Sequence, residues 1–226
     1  IEKNVQTIEF LRHTIGKSEF ASHLKDRITI LEGAFESHLS SILSHVESRS
    51  RARRVIFVLD QCGYSDVPMP LLQRIFSRFP NAEVILTFAT DWLIDYLTDT
   101  EQSKRIREAV GLGLELPSSI LQMKEEHGPG WRRAIQLLLH RDIHTTSGAD
   151  YYTPFFIHSP EAHRAYWLVH LSNHPRARDV MTALHWEKHN HFVHYGKAGL
   201  DMLGFDPNKP FEDQVSQLLP FNFDSH

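Results

Sequence analysis

The sequence predicts an α/β fold: a mostly parallel sheet covered by helices and ended by a C-terminal antiparallel hairpin. Three observations carry this expectation. Short apolar runs begin at residues 1, 28, 55 and 83, at intervals of 27, 27 and 28. Apolar faces of helical period fill the stretches between them. Two later runs are joined by a link too short for a crossover helix, which requires an antiparallel pair.

The elements follow in order. Ile1-Glu2 is the tail of a first strand, and Val5, Ile8, Leu11 and Ile15 form a helical stripe after it. Ile28-Thr29-Ile30-Leu31 is a second strand, followed by a stripe of Phe35, Leu39, Ile42, Leu43 and Val46. Val55 to Leu59 is the clearest strand and has Asp60 at its end. Leu71, Leu72, Ile75, Phe76 and Phe79 make a third stripe, and Glu83 to Phe88 is the fourth strand. Runs apolar on both faces are what a parallel sheet buried between helices requires. Asp91 to about Val110 reads as one helix, with Trp92, Leu93, Tyr96 and Leu97 on its apolar side. Loops and short helices fill 111–130, and a helix runs from Trp131 to about His140. Tyr151–Ile157 and Ala165–Leu171 are the hairpin, with Pro154 opposing a central position for the first of them. Arg176 to about Asn190 is helical, and the tail from Gly204 is loosely structured. The expected organisation is an α/β domain over 1–175, with inserted helices at about 91–148, and a helical extension over 176–226.

Composition narrows the function. A chain of 226 residues with 41% hydrophobic and 23% charged residues has a core and is not a disordered polymer. No apolar run approaches the length of a membrane span. The single cysteine, Cys62, excludes an internally disulfide-stapled scaffold. A net charge of −4 excludes a strongly basic nucleic-acid binder and leaves room for local patches. Protonating all sixteen histidines would move that charge from −4 to +12, so solubility and surface binding should respond to mild acid. Ile1-Glu2-Lys3-Asn4 carries no initiator Met and no signal segment, and the expectation is that further chain precedes it.

Parallel βα units followed by a hairpin resemble the second half of the Rossmann-like sheet of class I methyltransferases. There, five parallel strands are followed by a sixth and by an antiparallel seventh inserted between the fifth and sixth. The four runs then correspond to strands two to five, and the first strand with its glycine-rich turn would lie before Ile1. The cofactor this resemblance implies is S-adenosylmethionine. Ligands of open α/β sheets bind beyond the carboxyl ends of the strands. Glu2, with Lys3, stands at the first such end, where an acid accepts hydrogen bonds from ribose hydroxyls; the alternative is a plain exposed carboxylate. Glu32-Gly33-Ala34-Phe35 ends the next strand, where an acid or amide meets the adenine and Phe35 lies on its face. The alternative there is Glu32 as a helix cap and Phe35 as core. Asp60 ends the strongest strand, and amino-methyltransferases carry Asp or Asn, two prolines and an aromatic at that place. Here Asp60 is present, Tyr64 comes one residue late and both prolines are missing. Asp60 and Tyr64 are the catalytic candidates, with Asp60 also a cofactor contact; the alternative is Asp60 capping the helix that starts after Pro68 or Pro70. Glu2, Glu32 and Asp60 are expected along one rim of one sheet. Cys62 lacks a His or Asn at any recognised spacing and reads as a small filler, not a nucleophile.

These residues also resemble the three-Cys-motif partner family (TcmP), which has a methyltransferase-like fold. The matching pieces are Ile1 to Asn4, Leu31 to Phe35, Val58-Leu59-Asp60-Gln61-Cys62-Gly63-Tyr64 with Val67-Pro68, the strand from Glu83 to Phe88, and Tyr166 to Pro175 with Asp179-Val180-Met181. They extend over about residues 1–190, and each motif is short. The family pattern after the fourth strand is Asp-Pro-aromatic-Gly; here Asp60 and Gly63 are kept, Gln61 replaces the proline and Cys62 the aromatic. The departure bears on catalysis more than on fold. The resemblance implies a bacterial or phage-related cytoplasmic protein whose partner is a radical-SAM-like protein with a three-cysteine motif.

Two further motifs remain. His185 and His189 are four apart within a tract reaching His194, a spacing that can hold a metal on a helix. Trp186 stands where a zincin has its Glu, so a solvated helix end is the plainer account and no metal is expected. Arg49, Arg51, Arg53 and Arg54 precede the third strand, at the end opposite the expected cofactor side. They read as a solvated edge or as phosphate contacts whose binding weakens with salt. Trp131, Arg132 and Arg133 are a second basic-aromatic spot, on the substrate side or on a plain helix surface. Three functions compete: a methyltransferase acting on nucleic acid or a nucleotide, a non-catalytic methyltransferase-like binding or partner module, and a metal-dependent hydrolase using the late histidines.

Overall fold

The computed structural model describes residues 1–49, 54–61, 63–126, 131–158 and 165–187. The chain divides into two compact units, Ile1–Arg53 and Arg54–His226.

The first unit holds α1 (Val5–Gly16), a 3-10 turn at Ala21–Lys25 and α2 (Phe35–Arg49). Asn4 caps α1, its side chain accepting the Thr7 N–H at 3.2 Å. The two strands expected here are reduced to a single parallel bridge, Glu2 with Glu32. Two hydrogen bonds make it: Glu2 N–H to the Leu31 carbonyl at 3.1 Å and Gly33 N–H to the Glu2 carbonyl at 2.9 Å. Ile28 is withheld from pairing because its N–H, with that of Arg27, closes a turn on the His23 carbonyl. The apolar run at 28–31 is therefore spent partly on ending the 3-10 turn.

The second unit is mixed α/β. Its elements are β1 (Val55–Leu59), α3 (Met69–Arg78), β2 (Ala82–Phe88), α4 (Thr90–Tyr96), α5 (Glu101–Val110), α6 (Ser118–Glu125), α7 (Trp131–Ser147), β3 (Tyr151–His158), β4 (Ala165–Ser172) and α8 (Pro175–Glu187). The sheet order is β1-β2-β4-β3. β1 and β2 are parallel, and β4 is antiparallel to both β2 and β3. The hairpin thus forms as expected, with its second strand inserted between β2 and β3. Pro154 sits on β3, an edge strand, where a missing N–H is tolerated.

The helix expected from Asp91 to Val110 is two helices. Leu97–Thr100 separates them, and Thr100 caps α5 by accepting the Ser103 N–H at 3.3 Å. Gly111 closes α5 in the left-handed region at φ 76°, where a Cβ would also collide with Pro70. α7 continues to Ser147, beyond the expected end near His140. Pro68 is the N-cap of α3 and Pro70 falls in its first turn, where the missing N–H costs nothing.

Strand alternation sorts the sheet into two faces. Phe57 and Leu59, Val84 and Leu86, Val169 and Leu171 point to one face and are buried. Leu71, Leu72 and Ile75 of α3 and Ile135, Leu139 and Ile143 of α7 are buried as well, and those two helices pack on one another. On the other face α8 packs on β3 and β4, with the Arg178 guanidinium 5.9 Å from the Tyr151 ring. The β1 half of that face presents Ile56 and Val58, which stay 61% and 69% exposed.

Candidate functional site

The candidate residues fall in two places and do not share one rim of one sheet as expected: Asp60 ends β1 of the four-stranded sheet, whereas Glu2 and Glu32 meet in an isolated bridge of the first unit, because 28–31 does not form a full strand. In the first unit, Glu2 and Glu32 end their strand segments as register partners, and each is followed by two residues and then a helix. Register partners in a parallel pair project to the same face. Glu2 Oε1 accepts the Asn4 N–H at 2.8 Å, which fixes that carboxylate at the strand end. Lys3 is exposed beside it. Glu32 is exposed and does not cap α2 by any hydrogen bond found among the described residues; its carbonyl is bonded to His38 Nε2 at 2.7 Å. Gly33 adopts φ 128°, a conformation that L side chains rarely take, and a Cβ there would lie 3.1 Å from His38 Nε2. Ala34 and Phe35 follow and are half-buried.

In the second unit, Asp60 leaves the carboxyl end of β1. Its Oδ1 accepts the Thr87 hydroxyl of β2 at 2.8 Å. The capping alternative is excluded, because the N-cap of α3 is Pro68 and has no side-chain cap. An exposed carboxylate oriented by one hydroxyl keeps acceptor capacity on Oδ2 for an N–H or O–H of a ligand. The loop after Asp60 is tied across to the end of β2 by the Ala89 N–H to the Gly63 carbonyl at 3.1 Å. Gln61 is buried, and its Oε1 accepts the Val67 N–H at 3.1 Å. Its Nε2 is buried with no acceptor among the described residues. A buried donor without a partner is costly, and the cost is removed by a ligand acceptor. Tyr64 is half-buried, and burial, with the nearby Tyr96 phenol, pushes its pKa up, so it is a hydrogen-bond donor at neutral pH. Cys62 lies outside the described residues.

Sequence reasoning did not find Thr87 or the role of Gln61. The available signal for Thr87 is a lone hydroxyl near the carboxyl end of a strand that is apolar from Val84 to Leu86. Trp131 and Arg132 prove to be internally engaged. The ring lies 5.3 Å from both Lys124 Nζ and the Arg132 guanidinium, and Arg132 pairs with Asp95 at 2.7 Å. Lys124 donates to the carbonyls of Ile94, Asp95 and Leu97 at 2.7, 3.0 and 2.7 Å, closing the end of α4. The Arg133 side chain, Arg51, Arg53 and the tract from His189 to His194 lie outside the described residues, as does the His185 side chain. No group of three or more His, Cys, Asp or Glu is placed to hold a metal among the described residues. No helix among them is long and apolar enough to cross a membrane.

No family model, curated protein or solved structure matches the chain.

Proposed function

We propose that this protein is methyltransferase-like, of the three-Cys-motif partner type, binding S-adenosylmethionine and acting on nucleic acid or a nucleotide. The observation that carries the reading is the strand order β1-β2-β4-β3 with only β4 antiparallel. This order is compatible with the end of a class I methyltransferase sheet, where an antiparallel strand inserts beside the last of the parallel run, and that supports the reading. Acids within each unit support it separately: Glu2 and Glu32 end parallel-paired segments of the first unit, and Asp60 ends β1 of the second. Glu2 and Glu32 suit hydroxyl and amine donors of a nucleoside. Gly33 allows close approach of backbone, with Lys3, Ala34 and Phe35 beside it. Asp60 accepts a hydrogen bond from the group to be modified, and Tyr64 donates one to it. The cofactor supplies an electrophilic methyl on a sulfonium. A bacterial, cytoplasmic setting and a radical-SAM-like partner belong to the same proposal.

Gln61 favours a second reading, a non-catalytic binding or partner module. Where amino-methyltransferases have proline, Gln61 spends its carbonyl on holding the loop at Val67. Calorimetry on the full chain with S-adenosylmethionine and S-adenosylhomocysteine tests both. Binding of both cofactors, lost in Glu32→Ala, supports the shared reading, and absence of any heat overturns it. Methyl transfer that disappears in Asp60→Ala selects the enzyme; binding without transfer to nucleic acid or nucleotides selects the module.

A further inference from the structure

The opposite end of the sheet holds a cleft of ≈520 Å³, bounded by the amino ends of β1 and β2 and the start of α8. Its volume is that of small-molecule sites, about 300–1,000 Å³. Arg54, from the basic run before β1, lines it together with Arg176 and His174. Neither guanidinium has an ion-pair partner among the described residues. His174 Nδ1 accepts the Arg176 N–H at 3.1 Å, so the ring hydrogen is on Nε2, which is a donor. Glu83, the one carboxylate that lines the cleft among the described residues, is bonded to His170 Nε2 at 3.0 Å.

Positive charge exceeds negative in this arrangement, Glu83 being one carboxylate against two guanidiniums and a helix end. Arg176 lies in the first turn of a 13-residue helix, where the macrodipole is positive, and that turn contains no acid. Arg54 adds a second cation in the same cleft. A bound anion offsets the positive excess that Glu83 leaves. Beside them Ile56 and Val180 line the cleft and are each 61% exposed, an apolar wall next to a cationic pole.

We infer that this cleft is a phosphate-ester site: Arg54, Arg176 and His174 hold the phosphate, and the Ile56 and Val180 side takes the ring of a nucleotide. It is independent of the Asp60 rim, which lies at the other end of β1.

The test is calorimetric titration of the full chain at low salt with adenosine 5′-monophosphate, inorganic phosphate and adenosine. Adenosine monophosphate should bind, inorganic phosphate more weakly and adenosine not measurably. The Arg54→Gln/Arg176→Gln variant should bind the monophosphate roughly tenfold or more weakly, two charged hydrogen-bond donors being lost. Both side chains are exposed, so its thermal midpoint serves as the folding control, and Arg54→Lys/Arg176→Lys should recover much of the affinity. Equal binding by wild type and the Gln variant, or by adenosine and its monophosphate, overturns the assignment. A 5′-phosphorylated oligonucleotide that competes at lower concentration than the monophosphate identifies a nucleic-acid end as the source; one that fails to compete identifies a free nucleotide.

Discussion

Glu2 and Glu32 are register partners across a parallel bridge, and the hydrogen bond that closes it comes from Gly33, a residue at φ 128°. The paired acids therefore depend on a backbone conformation that only glycine takes without strain. Gly33→Ala should destabilise the chain by about 1 kcal/mol or more, since the methyl meets both the wrong φ and the His38 ring. Urea denaturation measures this. An unchanged midpoint would show that the bridge does not contribute to stability.

Asp60 and Gln61 are adjacent but do different work. Gln61→Ala leaves the Val67 N–H without its acceptor, a loss of about 1–3 kcal/mol. Thr87→Val removes the hydroxyl that orients an exposed carboxylate, and its stability change should stay within about 0.5 kcal/mol. If Asp60 handles the acceptor, methyl transfer falls in Thr87→Val while cofactor heat does not. Loss of both together would count against that division.

Lys124 satisfies three carbonyls where α4 ends. Burial lowers its pKa, with Asp95 opposing the shift, yet the ammonium has more donors here than any neutral side chain of its length. Lys124→Met keeps the stem and removes the donors. The expected loss is about 1.5–3 kcal/mol, with amide exchange at residues 94–97 accelerated first.

His140 gives an acid limit. Burial, aided by His144, lowers its pKa to about 4, and its ring packs edge-on against Tyr152 at 4.4 Å. The unfolded chain binds a proton here near pH 6.5 and the folded chain does not until about pH 4. Stability therefore falls as pH drops through that window, by at most about 3.5 kcal/mol. Asp142 acts oppositely: burial raises its pKa against the Gly113 and Leu114 amides, so the folded state holds that proton more tightly. His140→Phe should flatten the pH dependence of the denaturation midpoint between 6.5 and 4. A slope equal to wild type would remove His140 as its source.

Local periodicity made most elements legible. The stripe Leu71, Leu72, Ile75 and Phe76 is a buried helix face, and the alternation through β2 buries Val84 and Leu86. The link between two strands fixed the hairpin direction. The break at Leu97–Thr100 was missed because the polar run Thr98 to Arg105 reads equally well as the solvated face of one helix, and the decisive feature is a single threonine cap. The failure of 28–31 to form a full strand was hidden because its first N–H is taken by His23, a contact that no apolar count registers.

Residue order was enough to place most of the helices, all four strands of the sheet by their apolar runs, and acids at strand ends, because each depends on a few neighbouring positions. The isolation of the Glu2–Glu32 bridge from the sheet, the Asp60–Thr87 contact and the meeting of Arg54 with Arg176 came from folding alone. The last two join segments far apart in the chain, and such pairings follow from how all the apolar faces are buried together.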